Sequence, residues 1–132
     1  MTMRRILFVD DEANVLEGLR DALRERRDEW DMVFAQSAED ALAALDATRF
    51  DVVVSDMQMP GVNGVDFLRH IREQHPEIVR IVLTGNGAYA ESLRSAPFAH
   101  QFLAKPCSAD ELYADVERTA SLRARLARRP GA

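Results

Sequence analysis

Short apolar runs bounded by polar residues alternate along the chain with longer stretches in which apolar residues recur at helical spacing. This is the pattern of strand and helix units laid around a parallel sheet. Strands are expected at residues 5–9, 32–35, 52–55, 78–83 and 101–104. The first, third and fourth are apolar enough to be covered on both faces, and the second and fifth read as edges. Val15, Leu16, Leu19, Ala22 and Leu23 make one helical stripe. Ala38, Ala41, Leu42 and Leu45 make another behind the cap-like run 37–40, and Gly64, Phe67, Leu68 and Ile71 a third that ends before Pro76. Ser108 and Glu111 frame a capping box that opens the last helix, whose stripe is Leu112, Val116 and Ala120. A fourth helix has only residues 88–95, between Gly85-Asn86-Gly87 and Pro97, and is expected to be short or irregular. Right-handed crossovers then put helices on both faces of an open, doubly wound sheet.

Composition narrows the class. At 132 residues and 47% hydrophobic content, the chain has the size and core material of one domain. A net charge of −5 argues against a surface built to follow nucleic acid. Cys107 is the sole cysteine, so no internal disulfide can form, and His70, His75 and His100 have no cysteine companions for a zinc site. No apolar run approaches the roughly 20 residues of a membrane span, and a cytoplasmic location is expected. The local charge reverses between Arg118 and Arg129, which hold five arginines and no acid. These cations suit a helix C-terminus, or the start of a connector to a further domain.

In open parallel sheets a ligand sits beyond the carboxyl ends of the strands. The residues just past the apolar runs are Asp10 and Asp11, Asp56, Thr84 and Lys105, so three carboxylates, a hydroxyl and an ammonium share one edge. Carboxylates so close repel unless a cation neutralises them, and an all-oxygen set suits Mg²⁺. A carboxylate can attack phosphorus to give an aspartyl phosphate, with an ammonium and Mg²⁺ balancing the equatorial oxygens. Lys105 is the one lysine beside sixteen arginines. A compact point charge on a flexible stem suits a single phosphoryl oxygen better than the guanidinium chosen everywhere else.

Four motifs stand in order at the ends of expected strands: Asp10-Asp11, Asp56-Met57-Gln58-Met59-Pro60 with Gly64 beyond, Leu83-Thr84-Gly85, and Phe102-Leu103-Ala104-Lys105-Pro106. On these residues the chain resembles the receiver domains of two-component response regulators, from about Arg5 to Leu122. The resemblance implies a flavodoxin-like α/β fold, a five-stranded parallel sheet of order 2-1-3-4-5 with five helices, filling residues 1–122. Residues 123–132 would be a basic tail or the start of a linker. It implies Asp56 as phosphoacceptor, with Asp11, Asp56 and the Gln58 carbonyl holding Mg²⁺ and Asp10 assisting through water. Thr84 would bond the phosphoryl oxygen and Phe102 would turn inward as the switch. The side chains of Gln58 and Asn86 would tune dephosphorylation without a general base, and Lys105-Pro106 would be a cis bond. The implied partners are a sensor histidine kinase or phosphotransfer protein, an output domain or downstream protein, and a second copy through the face of the fourth helix, fifth strand and last helix.

Two rivals are weaker. A haloacid-dehalogenase-like Mg²⁺-dependent phosphatase wants a second aspartate two positions after the nucleophile, where Gln58 and Glu12 stand instead. A flavodoxin-like electron carrier needs a phosphate loop after the first strand, where Asp10-Asp11-Glu12 would repel the phosphate. The reading is therefore of a switch and not of an enzyme acting on an outside substrate. Between Thr84 and Lys105 the run 95–100 departs from the family's usual pattern. The run 100–107 is similar to receivers joined to phosphohydrolase-like output domains.

Overall fold

A computed structural model describes residues 3–56, 58–59, 62–85, 96–105 and 108–127, with backbone alone at 58–59, 62–63, 96 and 127. Its main sheet contains β1 (Arg4–Val9), β2 (Trp30–Ala35), β3 (Val52–Asp56), β6 (Val79–Thr84) and β7 (Gln101–Ala104). The order is β2-β1-β3-β6-β7 and every pairing is parallel, which is the 2-1-3-4-5 arrangement expected from the sequence. Two short strands, β4 (Gln58–Met59) and β5 (Val62–Asn63), form a separate antiparallel pair between β3 and the next helix. That pair was not foreseen, because two-residue strands carry no periodicity to read.

Four α-helices are seen among the described residues: α1 (Ala13–Ala22), α2 (Ala38–Ala47), α3 (Gly64–Gln74) and α4 (Ala109–Ala127). The fourth of the five expected helices, at 88–95, lies outside the described residues. Only a 3₁₀ turn at Ala96–Phe98 is described ahead of β7, and a second such turn follows α1 at Arg24–Arg26. The last helix runs without a break past residue 122 to Ala127.

Alternation along the strands builds two cores. Ile6, Phe8, Val52, Val54, Val79 and Ile81 face α1 and α4, where they meet Leu16, Leu112 and Val116. Leu7, Val9 and Val53 face the other way, onto Ala41 and Leu45 of α2 and Phe67 and Ile71 of α3. Both sheet faces are thus covered, which is why the central strands read as unbroken apolar runs. The helix starts follow from local chemistry. Ser37 Oγ accepts from the Asp40 N–H at 3.0 Å, and Ser108 and Glu111 bond reciprocally at the start of α4. Trp30, the chain's single tryptophan, is buried and donates from Nε1 to Glu117 at 2.7 Å, tying α4 to the far end of the sheet. Arg4 reaches the same carboxylate oxygen at 2.9 Å. On the outer side of edge strand β2, the Arg20 guanidinium lies 4.8 Å over the Phe34 ring.

One strand breaks the apolar rule. Arg80, the second residue of β6, is only 5% exposed. Its guanidinium donates to the carbonyls of Phe98 at 2.6 Å and Ile78 at 2.8 Å, with Pro76 at 3.4 Å, so its donors are met by backbone oxygens. Burial, then the nearby Arg123 and Arg72, pull its pKa down to about 10, with Glu77 opposing, and it stays charged at neutral pH. His100 completes the clip: its ring Nδ1 accepts the Arg80 backbone N–H at 2.9 Å while the His100 backbone N–H donates to the Arg80 carbonyl at 2.7 Å. Burial, helped by Arg80 and Arg123, holds the His100 imidazole down at about 4. A protonated ring would lose the acceptor that Arg80 needs.

Two outcomes follow from this packing. Ile81→Ala, at a residue with no exposed surface in the interior strand β6, is expected to cost about 3 kcal/mol in urea unfolding followed by Trp30 emission. Because the His100 pKa is lowered on folding, the unfolded chain takes up the proton first; stability from this group is complete above about pH 6.5 and is lost as the pH falls toward 4. His100→Asn keeps a side-chain oxygen to accept the bond but cannot titrate, so it should flatten that part of the stability–pH curve. An unchanged slope would remove His100 from the account.

Candidate functional site

The carboxyl ends of β1, β3, β6 and β7 meet at one edge because all four run in the same direction. Asp10 follows β1 and is 2% exposed, and Asp56 closes β3 and is 8% exposed. Asp10 is oriented by the chain itself, since its Oδ1 accepts the Glu12 N–H at 3.0 Å across the turn into α1. It is therefore a turn former as well as a site carboxylate, while Glu12 caps α1 without a side-chain bond. Ser55, buried beside Asp56, donates its hydroxyl to the Asp56 carbonyl at 3.0 Å.

Lys105 comes off the end of β7. Its Nζ lies 3.3 Å from Asp56 Oδ1 and 3.4 Å from Asp10 Oδ2. Burial works against the ammonium charge, but Asp56 and then Asp10 outweigh it, and the lysine pKa lies above its ordinary value. Asp11 joins the same hollow: one oxygen each from Asp10, Asp11 and Asp56 lie within 4.8 Å of one another. Three hard oxygen donors at that spacing fit a small divalent cation of the Mg²⁺ type, and one ammonium leaves the carboxylates in excess.

Thr84 ends β6 one residue beyond Leu83, which pairs with Asp56. Its hydroxyl donates weakly, at 3.4 Å, to the Leu103 carbonyl, and its own carbonyl accepts the Lys105 N–H at 2.7 Å. Phe102 is half-buried on β7, against a small cluster formed by Leu68 and Val82. The structure thus brings Asp10, Asp11, Asp56 and Lys105 together, with Thr84 on the same edge and Phe102 two positions back along β7 from Ala104, the partner of Thr84. Gln58 is placed by its backbone in β4, whereas Asn86 and Pro106, with their expected tuning role and cis bond, lie outside the described residues. The Arg80–His100 clip was missed, although a lone arginine inside the run 79–83 was its visible signal.

Comparison with known proteins agrees with this fold. Residues 6–117 match the family model described as the response regulator receiver domain. The chain is 37% identical over 109 residues to the hydrogenase transcriptional regulatory protein HoxA of Cupriavidus necator, covering 81% of this chain and 22% of that protein. It is 33% identical over 127 residues to the transcriptional regulatory protein TcrA of Mycobacterium tuberculosis, covering 96% of this chain and 49% of that one. The chain thus spans less than half the length of these relatives. Among solved structures, a receiver domain protein from Clostridium thermocellum superposes with a TM-score of 0.83 at 29% identity, over 94% of this chain and 99% of that one. The receiver domain of an HD domain-containing protein from Pseudomonas fluorescens gives 0.84 at 26%, over 98% and 95%.

The charge balance is testable by stability alone. Lys105→Met leaves Asp10 and Asp56 facing each other without their cation and should lower the urea midpoint at neutral pH without added metal. Adding Asp10→Asn to that variant should recover part of the loss; a further fall would show that the lysine acts by packing and not by charge.

Proposed function

The chain belongs to the response regulator receiver domain family, and on that footing we propose that it is a signalling switch that takes a phosphoryl group onto Asp56. The observation that carries this reading is the ammonium of Lys105 seated at 3.3 and 3.4 Å between Asp56 and Asp10, with Asp11 beside them. An Asp56 carboxylate oxygen attacks the phosphorus of a kinase phosphohistidine. The phosphorus–nitrogen bond breaks, and its electron pair stays on the imidazole nitrogen. Lys105 binds an equatorial phosphoryl oxygen and offsets the charge that Asp56 brings. Asp11, Asp56 and the Gln58 carbonyl, with Asp10 through water, are the groups that would hold Mg²⁺, which when bound supplies further neutralisation of the phosphoryl oxygens.

Thr84 reports the modification to the rest of the fold. Its weak bond to the Leu103 carbonyl is exchanged for one to the phosphoryl group, and the Thr84 end of β6 moves toward Asp56. Phe102 is then free to sink further against Leu68 and Val82. The phosphoryl group favours that packing only by its differential contacts in the two states. The neutral side chains of Gln58 and Asn86 leave dephosphorylation without a general base. The relatives are transcriptional regulators longer than this chain, which supports an output domain or downstream protein as the receiver of the signal, and a sensor kinase or phosphotransfer protein as its source. Residues 1–122 would form the receiver, with 123–132 leading toward a linker, and self-association through the β7 and α4 face remains part of the proposal. None of the described helices is long and apolar enough to cross a membrane, in keeping with a cytoplasmic role.

The test is intact-mass measurement after incubation with acetyl phosphate or phosphoramidate and Mg²⁺. The parent should gain one phosphoryl group, Asp56→Asn none, and excess chelator should abolish the gain. Equal labelling of both proteins would remove Asp56 from its role.

A further inference from the structure

The 3₁₀ turn at Ala96–Phe98 presents an aromatic ring to two guanidinium groups. Arg69 and Arg72 of α3 stand with their guanidinium carbons 5.2 and 5.4 Å from the centre of the Phe98 ring. Both arginines are exposed and the ring is half-buried, so the assembly faces solvent. Arg69 has Asp66 at 3.4 Å, whereas no acid among the described residues pairs with Arg72.

The platform is fixed from beneath. Arg80 holds the Phe98 carbonyl at 2.6 Å, and His100 locks the next turn of chain to β6. The ring also packs in the apolar cluster of Leu68 and Val82, with Val65, Ala99 and Phe102 around it. A cation-capped aromatic whose backbone is already immobilised loses little conformational freedom on binding. Arginine and aromatic groups on ordered backbone are the composition of interface hot spots. Arg72 and Arg123 both bear on the Arg80 guanidinium as like charges, against the one acid Glu77, so cationic charge gathers beneath this corner.

We propose that Phe98, Arg69 and Arg72 form a docking surface for an acidic segment of another protein, one that lays an apolar side chain on the Phe98 ring and carboxylates against the two guanidiniums. A free inorganic anion would use the arginines but leave the ring idle. A symmetric second copy would set the same arginines against each other, which costs affinity. The proposal goes beyond phosphoryl transfer and does not depend on it. Because the ring shares its cluster with Phe102, occupancy is nevertheless felt at β7.

The experiment titrates the unphosphorylated chain with a capped peptide of four glutamates flanking a Leu-Phe pair, followed by backbone amide NMR. Saturable shifts centred on Phe98 and Ala99, extending to Phe102, and a roughly tenfold weaker affinity for Arg72→Glu, would support the surface. Phe98→Ala should weaken binding about fivefold or more, with an unchanged Trp30 emission maximum showing that the fold is kept. The proposal is overturned by absence of saturable shifts at millimolar peptide, or by equal binding to Arg72→Glu. It is overturned too if a peptide of glutamates alone or sulfate gives the same shifts and affinity, which would mean a simple anion site. Concentration-dependent self-association that masks the same amides would assign the surface to a second copy instead.

Discussion

The contact on which the arrangement turns is a single ammonium held between two buried carboxylates. Asp10 and Asp56 lie almost wholly out of solvent, at 2% and 8% exposure, and Asp11 adds a third negative group to the same hollow. Like charges at such spacing in a poorly solvated edge would push the ends of β1 and β3 apart. Lys105 opposes that repulsion and brings β7 into the same balance, although it lies some ninety-five residues from Asp10 along the chain. The cost of gathering three acids is tolerable because the main parallel sheet around them is covered on both faces and does not yield. An excess of negative charge is left at that edge, where one oxygen each from Asp10, Asp11 and Asp56 could share a metal ion.

Much of this was legible in the order of residues. Val52, Val53 and Val54 run without a polar break because both faces of β3 are covered, so the central strands and their parallel sense could be read directly. The convergence of Asp10, Asp11, Asp56 and Lys105 followed from a rule of topology: residues just past parallel strands share an edge. Lys105 stood out further as the only lysine. What escaped has equally physical reasons. Arg80 is a charged residue inside an apolar run, and it is buried because three backbone carbonyls satisfy it. Those carbonyls are supplied by loops, and loops have no period from which to predict them. The β4 and β5 pair is likewise set by a local turn and not by any pattern of hydrophobicity.

The two polar clusters that hold the ends of the sheet differ in what they leave behind. Glu117 gathers Trp30 and Arg4 around one carboxylate oxygen and so fastens α4 to β1 and β2. Arg80 and His100 fasten β7 and the turn before it to β6. The first joins elements at the opposite end of β1 from Asp10. The second lies on the strand that ends in Thr84 and against the turn that precedes Phe102, and so ties the start of β6 to the approach to β7.

The open border of β2 carries a different consequence. An edge strand with half-exposed Met32 and Phe34 and an exposed Val33 is a template on which another extended chain could grow. Here Asp31 is engaged by Arg5 at 3.0 Å, and Arg20 folds its guanidinium across the Phe34 ring. Charge is thereby stationed along both sides of the border, and a newcomer strand would have to strip water from it before forming its first ladder bond. The same residues that decorate the surface thus act as a guard against amyloid-like stacking.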